Sequence, residues 1–223
     1  MKEILGILGG MGPLASAEFL KTIYDFNVGD VEQDSPICVL YSDPTISDRT
    51  DAIISGTEDI VFECLVNALE TLCQLGVNKV VIACLTMHYF LPRLPTHLRQ
   101  RVISLVDLII DEVSMTDERY LLLSTSGWQL IGPQVVLPND DDQHFVQDVI
   151  YQTIKTNRSD DALLQCFDTL SKSYQIDSFI AGCTEIHLLV KRLTKHGADK
   201  PKYRFVDPLL TLAKDLKRFV NQS

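Results

Sequence analysis

The chain has 223 residues, of which 46% are hydrophobic, and its formal net charge at pH 7 is -10. This length and composition suit one large domain or two small ones around a sizeable core. The negative charge argues against nucleic-acid binding, which requires a basic surface, and an anionic ligand would need a local cation.

Cysteine usage and hydropathy indicate the compartment. Six cysteines without a recognisable secretory leader favour a reducing cytoplasm over a disulfide-bonded scaffold. No apolar stretch approaches the roughly 18 residues that a membrane span requires. We therefore expect a cytoplasmic protein that binds neither membranes nor nucleic acids.

Apolar strand-like runs alternate with amphipathic segments along the whole chain, which is typical of parallel α/β folds. Strands are predicted over residues 3–8, 36–41, 79–83, 101–105, 119–124, 134–137, 178–181 and 204–206. Helices are predicted over residues 14–26, 58–75, 106–115, 140–156, 160–174 and 208–220, with a short one between Cys84 and Pro95. We expect two similar α/β lobes with a cleft between them.

The loop after the first strand, residues 9–13, reads Gly-Gly-Met-Gly-Pro and precedes a helix. Residues 10–15 fit part of the dinucleotide fingerprint G-x-G-x-x-A. However, Pro13 lacks a backbone donor, and the acidic residue expected after the next strand is poorly spaced. A backbone nest for a small anion, such as a carboxylate, is the favoured interpretation.

The loop after the second strand, residues 42–50, is polar and contains Arg49, the main cation near the predicted sheet edge. A guanidinium can bind a carboxylate through two parallel hydrogen bonds. The alternative is a solvated arginine paired with Asp48 or Asp51.

Two apolar strands end in a cysteine that begins a helix-compatible segment: Cys84 and, about a hundred residues later, Cys183. The first N–H groups of a helix lack internal partners and lower the pKa of a thiol placed there. Ligands of open α/β sheets bind at the carboxyl ends of the strands. The pair is therefore predicted to be functional, although single cysteines are often plain core residues.

A histidine follows each cysteine by four residues, at His88 and His187. His88 and Glu185 are expected either to tune the thiols or to have structural roles, and His187 is expected to pack. The i, i+4 spacing permits a zinc site, but the apolar context favours no metal.

Four motifs occur in order and carry a family resemblance: Gly9 to Pro13, Asp48-Arg49-Thr50, Cys84-x-Thr86-x-His88 and Gly182-Cys183-Thr184-Glu185-Ile186. Together they resemble the cofactor-independent aspartate/glutamate racemase family, and the likeness covers most of the chain. The resemblance implies two Rossmann-like lobes related by pseudo-twofold symmetry. It also implies a tail that returns to the first lobe, and a homodimer.

The resemblance implies a racemase that uses Cys84 and Cys183 as an acid/base pair, without pyridoxal phosphate or metal. Its substrate would be a small acidic amino acid. Arg49 and Lys155 would bind the side-chain carboxylate, and Thr86 and Thr184 the α-carboxylate. The other predicted substrate-binding residues are Met11, Thr50, Leu85, Thr125 and Glu185. The lobes are predicted over residues 1–98 plus 206–223, and 99–205.

Two departures from the family pattern bear on the substrate. Leu85 stands where the family usually has Asn, and Trp128 ends a segment that usually reads Thr-x-Gly-Thr. Both make the predicted pocket less polar. A related two-cysteine enzyme, such as a maleate isomerase, decarboxylase or hydantoin racemase, is therefore an alternative. A ligand-binding protein with this fold and little activity is another.

Overall fold

The computed structural model describes residues 3–126, 130, 132–151, 161–195 and 202–220. A first parallel sheet has the order β2-β1-β3-β4 and consists of β1 (Ile4–Gly9), β2 (Ile37–Ser42), β3 (Lys79–Ile82) and β4 (Val102–Ile103). A second parallel sheet has the order β6-β5-β7-β8 and consists of β5 (Tyr120–Leu123), β6 (Val135–Val136), β7 (Ser178–Ala181) and β8 (Arg204–Val206).

Both sheets place their strands in the same order: second, first, third and fourth of their half of the chain. Every pairing between neighbouring strands is parallel. This repeat confirms the predicted α/β architecture with two parallel-sheet lobes.

Helices connect the strands and cover the sheets. They are α1 (Pro13–Asn27), α2 (Arg49–Ser55), α3 (Glu58–Gln74), α4 (Thr96–Arg99), α5 (Leu105–Ser114), α6 (Asp140–Val149), α7 (Asp161–Tyr174), α8 (Ile186–Lys195), α9 (Pro208–Lys214) and α10 (Leu216–Val220). Residues Thr86–Arg93 form a 3-10 helix after β3. Pro13 begins α1, where its missing N–H leaves no hydrogen bond unmade.

Two helical predictions need correction. Residues 49–55 were expected to belong partly to a loop, yet they form α2, because the Asp48 carboxylate caps it by accepting hydrogen bonds from the Thr50 and Asp51 N–H groups. Gly56 ends α2 with a φ of 71°, a conformation that favours glycine. The single helix predicted over 208–220 is divided at Asp215 into α9 and α10.

One hydrophobic core is common to both sheets. Helix α9 packs against α1 and α5, so the C-terminal segment returns to the first lobe. The shared cluster includes buried residues of both sheets and of α9: Leu5, Ile7, Leu122, Ile180, Leu209 and Leu212. The two lobes are therefore held together by apolar packing as well as by polar contacts.

The sheets run past the lobe boundary predicted at residue 98. Strand β4, Val102–Ile103, pairs with β3 in the sheet that leads to Cys84. Strand β8 pairs with β7 in the other sheet through Val206, although the prediction assigned residue 206 to the first lobe. The first lobe therefore includes at least residues 102–103, which the prediction assigned to the second.

Among the residues that the structure describes, no helix is both long enough and apolar enough to cross a membrane.

A buried polar link joins three elements across the lobes. On α8, His187 Nδ1 lies 2.6 Å from Asp207 Oδ2, and its Nε2 lies 3.0 Å from the Thr22 hydroxyl on α1. The other oxygen of Asp207 accepts hydrogen bonds from the first N–H groups of α9. His187 is fully buried, which agrees with the structural role expected of it.

We predict that His187→Ala lowers the free energy of unfolding by about 3 kcal/mol, because it leaves the Asp207 carboxylate buried without its partner. The control is His97→Ala. His97 also pairs with a carboxylate, that of Glu70 at 2.8 Å, but its side chain is 63% exposed. The control should lose less than about 1 kcal/mol. Urea unfolding measures both values, and equal losses would contradict the prediction.

Candidate active site

The carboxyl ends of strands from both sheets supply one buried cavity. The chain reaches it at Met11 after β1, Arg49 after β2, Cys84 after β3, Thr125 after β5 and Cys183 after β7. The walls nearly close this cavity, whose volume is about 10 Å³. Its described lining consists of Met11, Arg49, Thr50, Cys84, Leu85, Thr86, Thr125, Tyr151, Cys183, Thr184 and Glu185.

The two thiols predicted to act together line this same cavity. So does every other predicted site residue except Lys155, which lies outside the described residues, as does Trp128. Tyr151 is the lining residue that the sequence analysis did not select.

Arg49 is the one cation among the described lining residues. It is buried, with a relative exposure of 9%. It donates hydrogen bonds to the Met11 carbonyl at 2.9 Å and to the Ser47 carbonyl at 3.3 Å. Burial opposes its charge, but the neighbouring Cys84 sulfur and the Asp48 and Glu185 carboxylates raise the pKa of Arg49 above its ordinary value. Its Nε has no hydrogen-bond partner within the described chain.

Cys183 and Glu185 interact directly at the end of β7. The Cys183 thiol donates a hydrogen bond to Glu185 Oε2 at 2.8 Å. Glu185 is 2% exposed, and its Oε1 has no hydrogen-bond partner among the described residues. A buried carboxylate oxygen without a donor is costly, so this oxygen marks a place where a proton or a polar ligand is expected.

Threonine hydroxyls connect the two lobes around the cavity. Thr50 donates to the Thr125 hydroxyl at 3.1 Å, and the Thr86 and Thr125 hydroxyls lie 3.4 Å apart. Thr184 donates to the Ala83 carbonyl at 3.2 Å, next to Cys84. These contacts align the strand ends that carry the thiols.

Tyr151 closes one side of the cavity. Its hydroxyl donates a hydrogen bond to Asp48 Oδ2 at 2.8 Å, across the two lobes. Burial and the Asp48 carboxylate raise the pKa of Tyr151 well above its ordinary value. The available sequence signal was its position four residues before Lys155, a spacing that would put both on one face of the predicted helix.

His88 is neutral and structural. The Leu105 N–H donates to its Nε2 at 3.0 Å, so Nδ1 carries the proton and donates to the Cys84 carbonyl at 3.1 Å. Burial lowers the pKa of His88 to about 4. Of the two roles expected for His88, the geometry favours the structural one, since both ring nitrogens contact backbone.

The glycine loop after β1 packs closely against the segment at Asp43 and against Glu185. A Cβ at Gly10, whose φ is +93°, would lie 2.3 Å from the Asp43 backbone, which requires glycine there. A Cβ at Gly12 would lie 2.5 Å from Glu185 Oε1. A pyrophosphate at this loop would meet that carboxylate, so the dinucleotide interpretation is disfavoured. The described residues contain no cluster of three or more His, Cys, Asp or Glu that could hold a metal.

Comparison with known proteins identifies the family. A sequence profile described as Asp/Glu/Hydantoin racemase matches residues 8–216. The chain belongs to the Asp/Glu/hydantoin racemase family. The resemblance inferred from the four motifs is thereby confirmed, and the assignment supports an amino-acid racemase.

Solved racemase structures share the fold. The chain is 23% identical to Picrophilus torridus aspartate racemase, with a TM-score of 0.77, over 97% of this chain and 93% of that one. A putative Asp/Glu racemase from Yersinia pestis is 20% identical, with a TM-score of 0.70, over 99% of this chain and 100% of that one. An allantoin racemase from Klebsiella pneumoniae is 14% identical, with a TM-score of 0.54, over 98% of this chain and 87% of that one. At these identities the likeness supports the fold, and the substrate must be argued from the cavity.

The neutral state of His88 predicts a dependence of stability on pH. An unfolded histidine has a pKa of about 6.5, so below that value the unfolded chain binds a proton that folded His88 does not. The free energy of unfolding should therefore fall as the pH decreases towards 4. Between pH 7.5 and pH 5.0 His88 alone should account for a loss of about 2 kcal/mol.

Urea unfolding at these two pH values, compared between the wild type and His88→Gln, measures this contribution. The pH-dependent loss should shrink in His88→Gln and stay unchanged in the control His97→Gln, whose side chain is exposed. An identical pH dependence in all three proteins would refute the assignment.

Proposed function

We propose that the protein is a cofactor-independent racemase of an acidic amino acid, in which Cys84 and Cys183 exchange protons with opposite faces of the α-carbon. One observation carries the proposal: two thiols from corresponding strand ends of the two sheets line a single buried cavity that also contains an arginine. Racemisation requires a base on one face of a carbon and an acid on the other.

The surroundings of the two thiols favour different protonation states. Cys84 lies beside the Arg49 guanidinium, which stabilises a thiolate. Cys183 donates its proton towards the Glu185 carboxylate, which favours the thiol because a thiolate there would face a like charge. The proposed resting enzyme therefore has a base at Cys84 and an acid at Cys183.

The cavity offers what a carbanion intermediate needs. The α-hydrogen of an amino acid is a weak acid, so developing negative charge must be stabilised by fixed donors in a water-poor site. The Arg49 guanidinium and the Thr86 and Thr184 hydroxyls line the buried space. General acid/base groups contribute most when their pKa lies near the working pH.

Substrate selection is assigned to Arg49 and the threonines. Arg49 would bind the side-chain carboxylate, together with Lys155, while Thr86 and Thr184 would bind the α-carboxylate. An acidic amino acid carries both carboxylates, and its charge is matched by the guanidinium in an otherwise acidic protein. Met11, Thr50, Leu85 and Thr125 would complete the wall.

The second candidate is a hydantoin-type racemase, and Leu85 favours it. Leu85 is 1% exposed and gives the cavity an apolar wall, where an amide side chain would contact the polar groups of a free amino acid. A cyclic ureide has fewer charges to satisfy. The maleate isomerase, decarboxylase and ligand-binding alternatives predict no exchange of a substrate α-hydrogen.

Solvent deuterium exchange tests these candidates. Purified protein is incubated in deuterium oxide with D- or L-aspartate, D- or L-glutamate, or a 5-substituted hydantoin, and α-deuteration is followed by NMR. We expect exchange with an acidic amino acid in both enantiomeric series. Exchange only with the hydantoin would favour the second candidate, and no exchange with any of them would refute the proposal.

Serine substitution tests the catalytic roles proposed for the two thiols. Cys84→Ser and Cys183→Ser should each lower the rate of racemisation by about 10²- to 10⁴-fold, the usual contribution of a general acid or base. Each variant should retain more α-exchange with one enantiomer than with the other, in opposite senses, because each keeps one base. The control is Cys64→Ser on α3, outside the cavity lining. Two serine variants with the same enantiomer preference would contradict a two-base mechanism.

Leu85→Asn tests the apolar wall. An added hydrogen bond to an amino-acid substrate is worth about 1 kcal/mol. The ratio of kcat/KM for the acidic amino acid to kcat/KM for the hydantoin should therefore rise by about fivefold. Leu85→Met keeps the wall apolar and should leave the ratio unchanged. A lower ratio in Leu85→Asn would contradict the assigned contact.

A homodimer and a cytoplasmic location remain predictions. Sedimentation equilibrium and cell fractionation test them directly.

A further inference from the structure

We propose that Glu185 carries protons between Cys183 and solvent through a second cavity, and so resets the thiol pair between turnovers. This inference rests on the proposed racemase function. It concerns the step after the product leaves, which the two-thiol chemistry requires but does not itself provide.

The reset follows from proton balance. When Cys84 removes the α-proton and Cys183 donates its own, the enzyme is left with a thiol at Cys84 and a thiolate at Cys183. That form can accept only the opposite enantiomer. Another turnover in the same direction needs Cys183 to gain a proton and Cys84 to lose one.

The inner cavity gives little contact with water. Every described lining residue is buried except Tyr151, which is half-buried and bonded to Asp48. For Cys183, whose thiol is hydrogen-bonded to a side chain of the wall, proton exchange with solvent is therefore expected through that side chain.

A second, larger cavity lies against this wall. Its volume is about 190 Å³, and Pro13, Leu14 and Pro44 on its rim are exposed. This volume holds several water molecules, each of which occupies about 30 Å³ in the liquid. Met11, Arg49 and Glu185 line both cavities.

Among these shared residues, Glu185 has a carboxyl group that can carry a proton. One of its oxygens contacts Cys183, and the other lies towards Gly12. Oε2 accepts the hydrogen bond of the Cys183 thiol. Oε1 lies next to Gly12, which lines the second cavity and not the first, and has no hydrogen-bond partner within the described residues. The carboxylate therefore lies between the thiol on one side and the second cavity on the other. Oε1 itself has less than 1 Å² of exposed surface, so a small side-chain movement has to bring it to water.

The proposed steps conserve protons. When the side chain moves towards the second cavity, a hydronium ion there protonates Oε1 and is left as water. The carboxyl group then rotates about its Cγ–Cδ bond to direct the O–H at Cys183. The O–H bond then breaks as the S–H bond forms, which restores the thiol and the carboxylate. Cys84 releases one proton to solvent, so one proton enters and one leaves. The opposite reaction direction uses the same steps in reverse.

Glu185→Gln tests the relay because the amide keeps the shape and an oxygen acceptor but carries no proton. The reset contributes to kcat and not to kcat/KM. We expect kcat to fall by about tenfold or more. The value of kcat/KM should fall less than kcat, because it changes only through the lost charge beside Cys183. Small buffers such as formate or imidazole should then raise kcat in proportion to their concentration, since they can enter the second cavity. Wild-type kcat should not respond to these buffers.

Gly12→Ala is the second variant, because its new methyl group would lie 2.5 Å from Oε1 and displace it. It leaves the carboxyl group chemically intact and should also lower kcat more than kcat/KM. The control Glu63→Gln removes an exposed carboxylate on α3 and should change neither. Gly12→Ala serves alone if Glu185→Gln does not fold.

Equal losses of kcat and kcat/KM without a response to buffers would overturn the relay and leave Glu185 as a residue that only adjusts the Cys183 thiol. A wild-type protein that racemises no amino acid or hydantoin in the same assay would overturn the proposed function, and the relay with it.

Discussion

The site depends on keeping an arginine and a glutamate out of water at the junction of two sheets. A buried charge is costly unless opposite charges and hydrogen bonds compensate it. Arg49 is compensated by the Asp48 and Glu185 carboxylates, by the Cys84 sulfur and by two backbone carbonyls. Because this compensation needs residues of both lobes, the lobes must meet with the thiols close to the guanidinium.

The repeated strand order explains how residues so distant in sequence meet. In each sheet the third strand of its half lies beside the first, and it ends in the cysteine. The helices that follow leave the same edge, so the functional side chains gather where parallel strands end. The core shared by the two sheets, together with α9, then fixes one edge against the other.

Much of this arrangement was predictable because its signals are local. An apolar run that stops at a cysteine predicts a buried strand with a functional residue at its end, and that pattern occurs at both Cys84 and Cys183. The motifs around Arg49, Thr86 and Thr184 likewise lie directly after strands. Ten of the predicted site residues line the cavity for this reason.

Other features escaped prediction because tertiary contacts decide them. Strand β4 has two residues, too few for a periodic pattern, so the lobe boundary was set too early. Helix α2 depends on the cap by Asp48, and that residue reads equally well as part of a polar loop. Tyr151 contacts Asp48 from the other lobe, and neither segment signals this partnership alone. The unequal surroundings of the thiols also depend on this packing.

The threonine contacts between the lobes have a consequence for how a ligand reaches the thiols. Thr50, Thr86 and Thr184 each contact the opposite lobe through a hydroxyl, and Tyr151 does the same through its bond to Asp48. Parting the lobes at the cavity therefore breaks four hydrogen bonds. At about 1 kcal/mol each, this corresponds to an open form populated about 0.1% of the time. Capture of a ligand would then be slower than diffusion by about a thousandfold, because the ligand can enter only during these brief openings.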